Sequence, residues 1–166
     1  MKKCIFAGTF DPPTVGHADM IRQCLRLFDE VVVAVLINPD KQPYFALEER
    51  EHMLSLAFSG EPRVRVRSYD GLVVDLMREE GTPFYVRGIR NGADYDYETL
   101  TQYINRSLYP ELVTLYLPTT QEHLHISSSL VRNSIRFGKP VDEYVPEAAR
   151  DYIKKLISEK HDQKKH

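Results

Sequence analysis

The run Val31-Val32-Val33-Ala34-Val35-Leu36-Ile37 is apolar at every position. A strand with one wet face alternates apolar and polar residues; a strand covered on both faces does not. This segment therefore reads as a central strand of a parallel sheet flanked by helices. Working back, Met20, Ile21, Cys24, Leu25 and Phe28 recur at helical spacing, and Lys3 to Ala7 form a shorter buried strand. Working forward, the pattern predicts a helix over Leu47–Phe58, a strand over Val64–Arg67 and a helix over Leu72–Glu80. A strand at Phe84–Val86, a helix at Tyr95–Leu108 and a strand at Val113–Leu117 follow. Helices near Ser129–Phe137 and Pro146–Lys160 complete the chain. Strands alternating with helices imply right-handed βαβ units, so the expected fold class is α/β, with one doubly wound, five-stranded parallel sheet.

The 166 residues suit one domain, expected over 1–160, with a polar, frayed tail at 161–166. The 22 Lys and Arg residues nearly balance 24 Asp and Glu, a formal charge of −2. That balance excludes a broadly basic nucleic-acid binder but leaves room for a local anion pocket. Cys4 and Cys24 have neither metal nor redox spacing and read as buried free thiols. No apolar run approaches membrane-spanning length, and the start of the chain lacks a signal peptide's hydrophobic region, so a cytoplasmic location is expected.

In an open parallel sheet, ligands bind beyond the carboxyl ends of the strands, where strand order reverses. After the first strand stand Gly8-Thr9-Phe10-Asp11-Pro12-Pro13 and then Gly16-His17 at a helix start. A helix N-terminus favours an anion, and a histidine in its first turn either joins that site or simply caps and packs. Lys41 follows the second strand and is either a phosphate ligand or a solvated loop lysine. Arg87 and Arg90 follow the fourth; the arginine fork suits phosphate, the alternative being surface ion pairs. Ser127-Ser128-Ser129 is a helix N-cap signal whose hydroxyls are also suited to cradling a triphosphate. P-loop, dinucleotide-binding and hydrolase-elbow motifs are absent from the sequence. His123 and His125 lie on opposite faces if extended, a poor zinc arrangement, and Asp94, Asp96 and Glu98 suit a helix start better than a cation site. No protein-side metal ligands are assigned.

Gly8-Thr-Phe-Asp-Pro-Pro-Thr-Val-Gly-His17 resembles the nucleotidyltransferase signature G-x-F-D-P-x-T-x-G-H, and Ile126-Ser-Ser-Ser-Leu-Val-Arg132 resembles its second signature. Lys41, Phe45 to Arg50, Arg87 to Arg90, Asp94 to Glu98, Asn105-Arg106 and Pro110 to Leu112 extend the likeness to the bacterial phosphopantetheine adenylyltransferase family. The resemblance implies a Rossmann-like nucleotidyltransferase fold, usually assembled as a homohexamer. It implies adenylyl transfer from ATP to 4′-phosphopantetheine, assisted by Mg²⁺, giving dephospho-coenzyme A and pyrophosphate, with possible feedback binding of coenzyme A.

Carried across by position, Thr9, Lys41, Val73 and Arg87 would line the phosphopantetheine site. Thr9, Phe10, His17, Gly88, Ile89, Arg90, Glu98 and His123, Leu124, His125, Ile126, Ser127, Ser128 and Ser129 would contact ATP. His17 would stabilise the transition state, with Lys41 and Arg90 sharing the catalytic work. Three positions depart from the family pattern: His123 where an aromatic residue, often Trp, is common, Ala46 in place of a Thr, and Pro13 in place of Ile or Val. Rival readings are a related transferase using nicotinate mononucleotide or glycerol 3-phosphate, and a non-catalytic ATP-binding sensor.

Overall fold

A computed structural model describes residues 1–165. Five strands, β1 (Lys3–Gly8), β2 (Glu30–Leu36), β3 (Val64–Tyr69), β4 (Phe84–Ile89) and β5 (Val113–Pro118), form one parallel sheet in the order β3-β2-β1-β4-β5. Six helices connect and close it: α1 (Val15–Cys24), α2 (Leu47–Ala57), α3 (Val73–Glu80), α4 (Gly92–Leu108), α5 (Ser128–Arg136) and α6 (Arg150–Gln163). The doubly wound α/β expectation is met.

Val31 to Val35 are all fully buried, as the unbroken apolar run requires. Their side chains alternate between two cores. Val31, Val33 and Val35 join Cys4, Phe6, Met20, Ile21, Cys24 and Phe28 on the α1 side. Val32 and Ala34 join Ile5, Ala7, Val74, Leu76 and Met77 on the α3 side. Each buried valine contributes about 1.5–3 kcal/mol, so a polar residue on either face would be costly. A third cluster, with Phe45, Met53, Val131, Ile135 and Ile153, packs α2, α5 and α6 together. Cys4 and Cys24 are buried free thiols.

β1 keeps six-residue register with β2 but pairs with β4 only through Ile5↔Tyr85 and Phe6↔Val86. Beyond those pairs β1 and β4 part, opening a crevice at their carboxyl ends where the strand order reverses.

Several boundaries differ from the sequence reading. β4 runs to Ile89 rather than Val86, because Arg87, Gly88 and Ile89 continue the ladder opposite Tyr116, Leu117 and Pro118 of β5. Arg87 is therefore a strand residue, not a loop residue. β3 likewise continues to Tyr69 beside Leu36. α4 starts three residues earlier than its apolar pattern, because the Asn91 side chain accepts the Asp94 N–H at 2.9 Å and caps it. A 3₁₀ turn, Glu147–Ala149, precedes α6, which continues through Gln163, past the expected end at Lys160.

Candidate active site

The loop after β1 is shaped by its own side chains. Phe10 is buried with φ 51°, and the Asp11–Pro12 peptide bond is cis. Thr14 then caps α1 reciprocally with His17. The Thr14 N–H donates to His17 Nδ1 at 3.0 Å, and the His17 N–H donates to Thr14 Oγ1 at 3.3 Å. This is the capping-box geometry with histidine in place of the usual Glu or Gln.

The capping reading of His17 therefore holds, and the same ring lines the cavity described below. Because Nδ1 accepts a backbone N–H, the proton of the neutral ring resides on Nε2. Burial, then the charges of Arg87 and Arg90, lower the His17 pKa from 6.5 to about 4. At neutral pH the ring is an uncharged Nε2–H donor beside the crevice, steadied by the edge of Phe10 with centroids 4.9 Å apart.

Arg87 projects from β4 into the same space. Its Nε and Nη2 donate to the two carboxylate oxygens of Glu98 at 3.0 and 2.6 Å. Its Nη1 donates to the Ala7 carbonyl at 2.8 Å and to the Tyr85 hydroxyl at 3.2 Å. Burial opposes the charge, but Tyr85 and Glu98 outweigh it and hold the guanidinium firmly protonated. Glu98 is thus placed on Arg87 by the i, i+4 face that also carries Asp94. Asp94 in turn accepts from the Arg90 backbone N–H and from its Nε, at 3.1 and 3.2 Å.

Asp11 joins the first loop to the loop after β2. It is buried, and its oxygens accept the N–H groups of Tyr44 and Phe45 at 2.8 and 2.9 Å. Arg50 crosses the same gap, donating to the Phe45 carbonyl at 3.1 Å and the Thr9 carbonyl at 2.8 Å. Arg132 of α5 donates to the Asp11 carbonyl at 2.7 Å.

The serine run is similarly occupied. The Ser127 hydroxyl accepts the Leu130 N–H at 3.1 Å, and Ser128 Oγ donates to the Pro12 carbonyl at 2.8 Å. Ser129 Oγ accepts from Arg132 Nη2 at 3.1 Å. What this turn offers a ligand is chiefly the start of α5, where the first backbone N–H groups have no intrahelical partner.

These groups surround a cavity of about 360 Å³. Of the residues expected from sequence, Thr9, Phe10, His17, Arg87, Gly88 and Arg90 line it on the β1 and β4 side. Glu98 and Ile126 to Ser128 line it from α4 and the start of α5. Lys41 is exposed in the loop after β2, and Val73, the first residue of α3, packs into the core. Ile89, Leu124, His125 and Ser129 also stand off the lining; His123 ends a 3₁₀ turn, Gln121–His123, so the two histidines are not on an extended segment. Arg132, Asp94, Tyr97, Thr119 and Met20 line the cavity without having been assigned to it from sequence. Arg132 was legible as the end of the second signature and Tyr97 as part of the Asp94 to Glu98 block; Thr119 carries no distinguishing sequence signal.

Among the described residues, no group of three or more His, Cys, Asp or Glu side chains is placed to hold a metal ion. The cavity's carboxylates, Asp11, Asp94 and Glu98, are each bound to N–H donors. This donor set fits a magnesium ion carried mainly by substrate phosphates and water, the usual habit of that ion, rather than one caged by protein.

A five-stranded parallel sheet with a T-x-G-H loop and an I-S-S-S turn on either side of its reversal point defines a nucleotidyltransferase site. The sequence model of the cytidylyltransferase-like family matches residues 5–134, and the chain belongs to that family. Within it, the chain is 43% identical to a phosphopantetheine adenylyltransferase of Flavobacterium psychrophilum, over 90% of this chain and 99% of that protein. It is 41% identical to a phosphopantetheine adenylyltransferase of Synechococcus sp., over 96% of each chain. A Symbiobacterium thermophilum protein of the same name is 44% identical over 88% of this chain and 90% of its own length. The chain is a member of the phosphopantetheine adenylyltransferase family.

Proposed function

We propose that this protein transfers the adenylyl group of ATP to 4′-phosphopantetheine, releasing pyrophosphate and forming dephospho-coenzyme A. The observation that carries the reading is the convergence of a neutral His17 donor, Arg87, Arg90 and the α5 N-terminus on one cavity at the sheet's reversal point. The names of the relatives supply the substrate class.

The incoming nucleophile is a phosphate monoester oxygen, largely ionised at neutral pH because its second pKa is about 6. No general base is required, and a neutral His17 is suited to donating rather than abstracting. Its Nε2–H would hold the α-phosphoryl oxygens as negative charge shifts onto them, a preorganised electrostatic role with no covalent intermediate. Arg87 and Lys41 would hold the acceptor's phosphate, with Thr9 and Val73 on the same side. Arg87 enters this role with its donors engaged by Glu98, Ala7 and Tyr85, so the incoming phosphate competes for an already oriented fork. Arg90, with Gly88 and Ile89, and the turn from His123 to Ser129 would hold the nucleotide and the departing pyrophosphate. Bound magnesium would neutralise part of the triphosphate charge; the residues lining the cavity would orient the phosphates that carry it.

Further parts of the reading are a cytoplasmic location, a homohexameric assembly and feedback binding of coenzyme A. Support for self-association comes from α4, whose Tyr97, Leu100, Tyr103 and Ile104 form an exposed apolar stripe.

The test is magnesium-dependent pyrophosphate release from ATP with three acceptors in parallel. Release with 4′-phosphopantetheine alone, and dephospho-coenzyme A as product, is the expected result. Release only with nicotinate mononucleotide or glycerol 3-phosphate would overturn the substrate, and ATP binding without release would favour a sensor.

A further inference from the structure

Helix α1 carries His17 on its first turn and presents a second row of groups, Gly16, Asp19 and Gln23, to the segment leaving β5. Residues three and four apart share a helix face, so one face of α1 runs along residues 118–123. Three contacts join them. Gln23 Nε2 donates to the Pro118 carbonyl at 3.3 Å, and Thr120 Oγ1 donates to Asp19 Oδ2 at 3.1 Å. His123 Nδ1 lies against the same Asp19 oxygen. The other Asp19 oxygen accepts from Arg22 at 3.1 Å.

The segment is also folded onto itself around His123. The His123 N–H donates to the Thr120 carbonyl and the Ile126 N–H donates to the His123 carbonyl, both at 3.0 Å. His123 thus lies at the centre of a turn whose two ends, Thr119 and Ile126 to Ser128, line the cavity. Gly16 faces the same turn: a Cβ there would stand in ordinary contact, 4.0 Å from the Cβ of His123. His123 is itself outside the lining, so its position must be explained by something other than contact with the cavity.

We propose that Asp19 and His123 are a pair of positioning residues that clamp segment 118–127 to helix α1 and set the nucleotide-side wall of the cavity before ATP arrives. The imidazole Nδ1 meets the helix carboxylate and lies 3.2 Å from the Thr120 hydroxyl, which itself donates to that carboxylate. The inference rests on the nucleotidyl-transfer reading of the cavity, but the clamp is a property of the free protein.

The experiment compares Asp19→Ala, His123→Ala, the double variant, His123→Asn and His123→Phe. Asparagine can return a donor near the Nδ1 position, whereas phenylalanine returns only the ring. The readouts are hydrogen exchange of residues 118–127 in the free protein, ATP affinity by calorimetry, and the kinetic constants for ATP and for acceptor.

Each alanine variant is expected to speed exchange in that segment and to weaken ATP by about tenfold. The kinetic effect should fall on the KM for ATP more than on the KM for the acceptor. The double variant should be no worse than Asp19→Ala, because removing Asp19 already breaks the His123 contact together with the bond from Thr120. His123→Asn should recover most of the loss and His123→Phe should not.

Parent-like behaviour of His123→Phe, multiplicative losses in the double variant, or unchanged exchange would each overturn the clamp. If Asp19→Ala fails to fold, the Asn and Phe variants at His123 decide the matter by themselves. Should phosphopantetheine prove not to be the acceptor, exchange and ATP affinity still test the clamp.

Discussion

Capping uses one ring nitrogen of His17 and the proposed donor role the other, and substitutions can separate them. His17→Gln keeps a side-chain acceptor for the Thr14 N–H, completing an ordinary capping box, whereas His17→Ala removes it. The alanine variant should therefore lose about 1 kcal/mol of stability that the glutamine variant retains, as chemical denaturation would show. Turnover of the alanine variant should fall by an amount equivalent to about 3–4 kcal/mol of barrier, with ATP binding much less affected. Undiminished turnover in His17→Ala would remove the donor role. The lowered pKa adds a pH signature: with a folded pKa of about 4 the ring stays neutral from pH 6 to 9, so His17 imposes no fall in rate across that range. A rate that tracks a group near 6.5 and vanishes in the His17 variant would contradict the neutral-donor geometry.

At the level of elements, the site is built by cross-links between loops that are distant in sequence. Asp11 is the clearest case, because one carboxylate terminates two backbone donors of the loop after β2. Asp11→Ala leaves the Tyr44 and Phe45 N–H groups without acceptors, at a cost of about 2–3 kcal/mol. Asp11→Asn, which keeps one acceptor oxygen, should lose less. Both should raise the KM for the acceptor more than for ATP, since the loop they loosen carries Lys41. Equal effects on the two substrates, measured by steady-state kinetics, would show that the loop after β2 is not the acceptor side. α2 shows another element-scale compensation. Ala46 offers no side-chain cap, yet Glu49 still accepts the Ala46 N–H at 2.8 Å and pairs with Lys160 of α6 at 3.1 Å.

Across the whole molecule, charge is distributed between the two ends of the sheet. At the end opposite the cavity, Glu80 pairs with Lys3 at 3.2 Å, with Arg67 at 2.8 Å and with Arg65, tying α3 to β1 and β3. The hydrogen bond from Arg65, offset in part by burial and aided by Arg67 and Lys3, lowers the Glu80 pKa from 4.5 to about 2. Glu80→Gln should cost about 1–2 kcal/mol while leaving kcat and both KM values unchanged, a dissociation that denaturation and kinetics together would check.

The two shifted groups also set the acid limb of stability. For both, the unfolded chain binds the proton more readily than the folded one, so stability falls as pH falls. The His17 contribution is lost between about 6.5 and about 4, and that of Glu80 between 4.5 and about 2. Denaturation midpoints of His17→Gln should be flatter above pH 4 than those of the parent. For the proposed assembly, Leu100→Lys on the exposed stripe of α4 should shift the light-scattering mass of a hexamer toward smaller species. A parent that scatters as a monomer would end that reading.

The sequence by itself determined the architecture. An unbroken apolar strand has no stable place except between two helical layers, so Val31 to Ile37 dictated a doubly wound sheet and hence the edge where ligands bind. The loop motifs and their order then pointed to His17, Arg87, Arg90 and the serine turn, because these chemistries are local to short segments. Only the tertiary structure decided what each group can do. The tautomer and charge of His17 follow from a capping bond and from burial beside two arginines. The orientation of Arg87 depends on its place in β4 and on Glu98 eleven residues away. The roles of Asp11 and of the Asp19–His123 contact span loops joined through space. Periodicity records which face of an element is buried. Hydrogen-bond partners and electrostatic shifts depend on distances between elements, and those exist only once the sheet has closed around its cores.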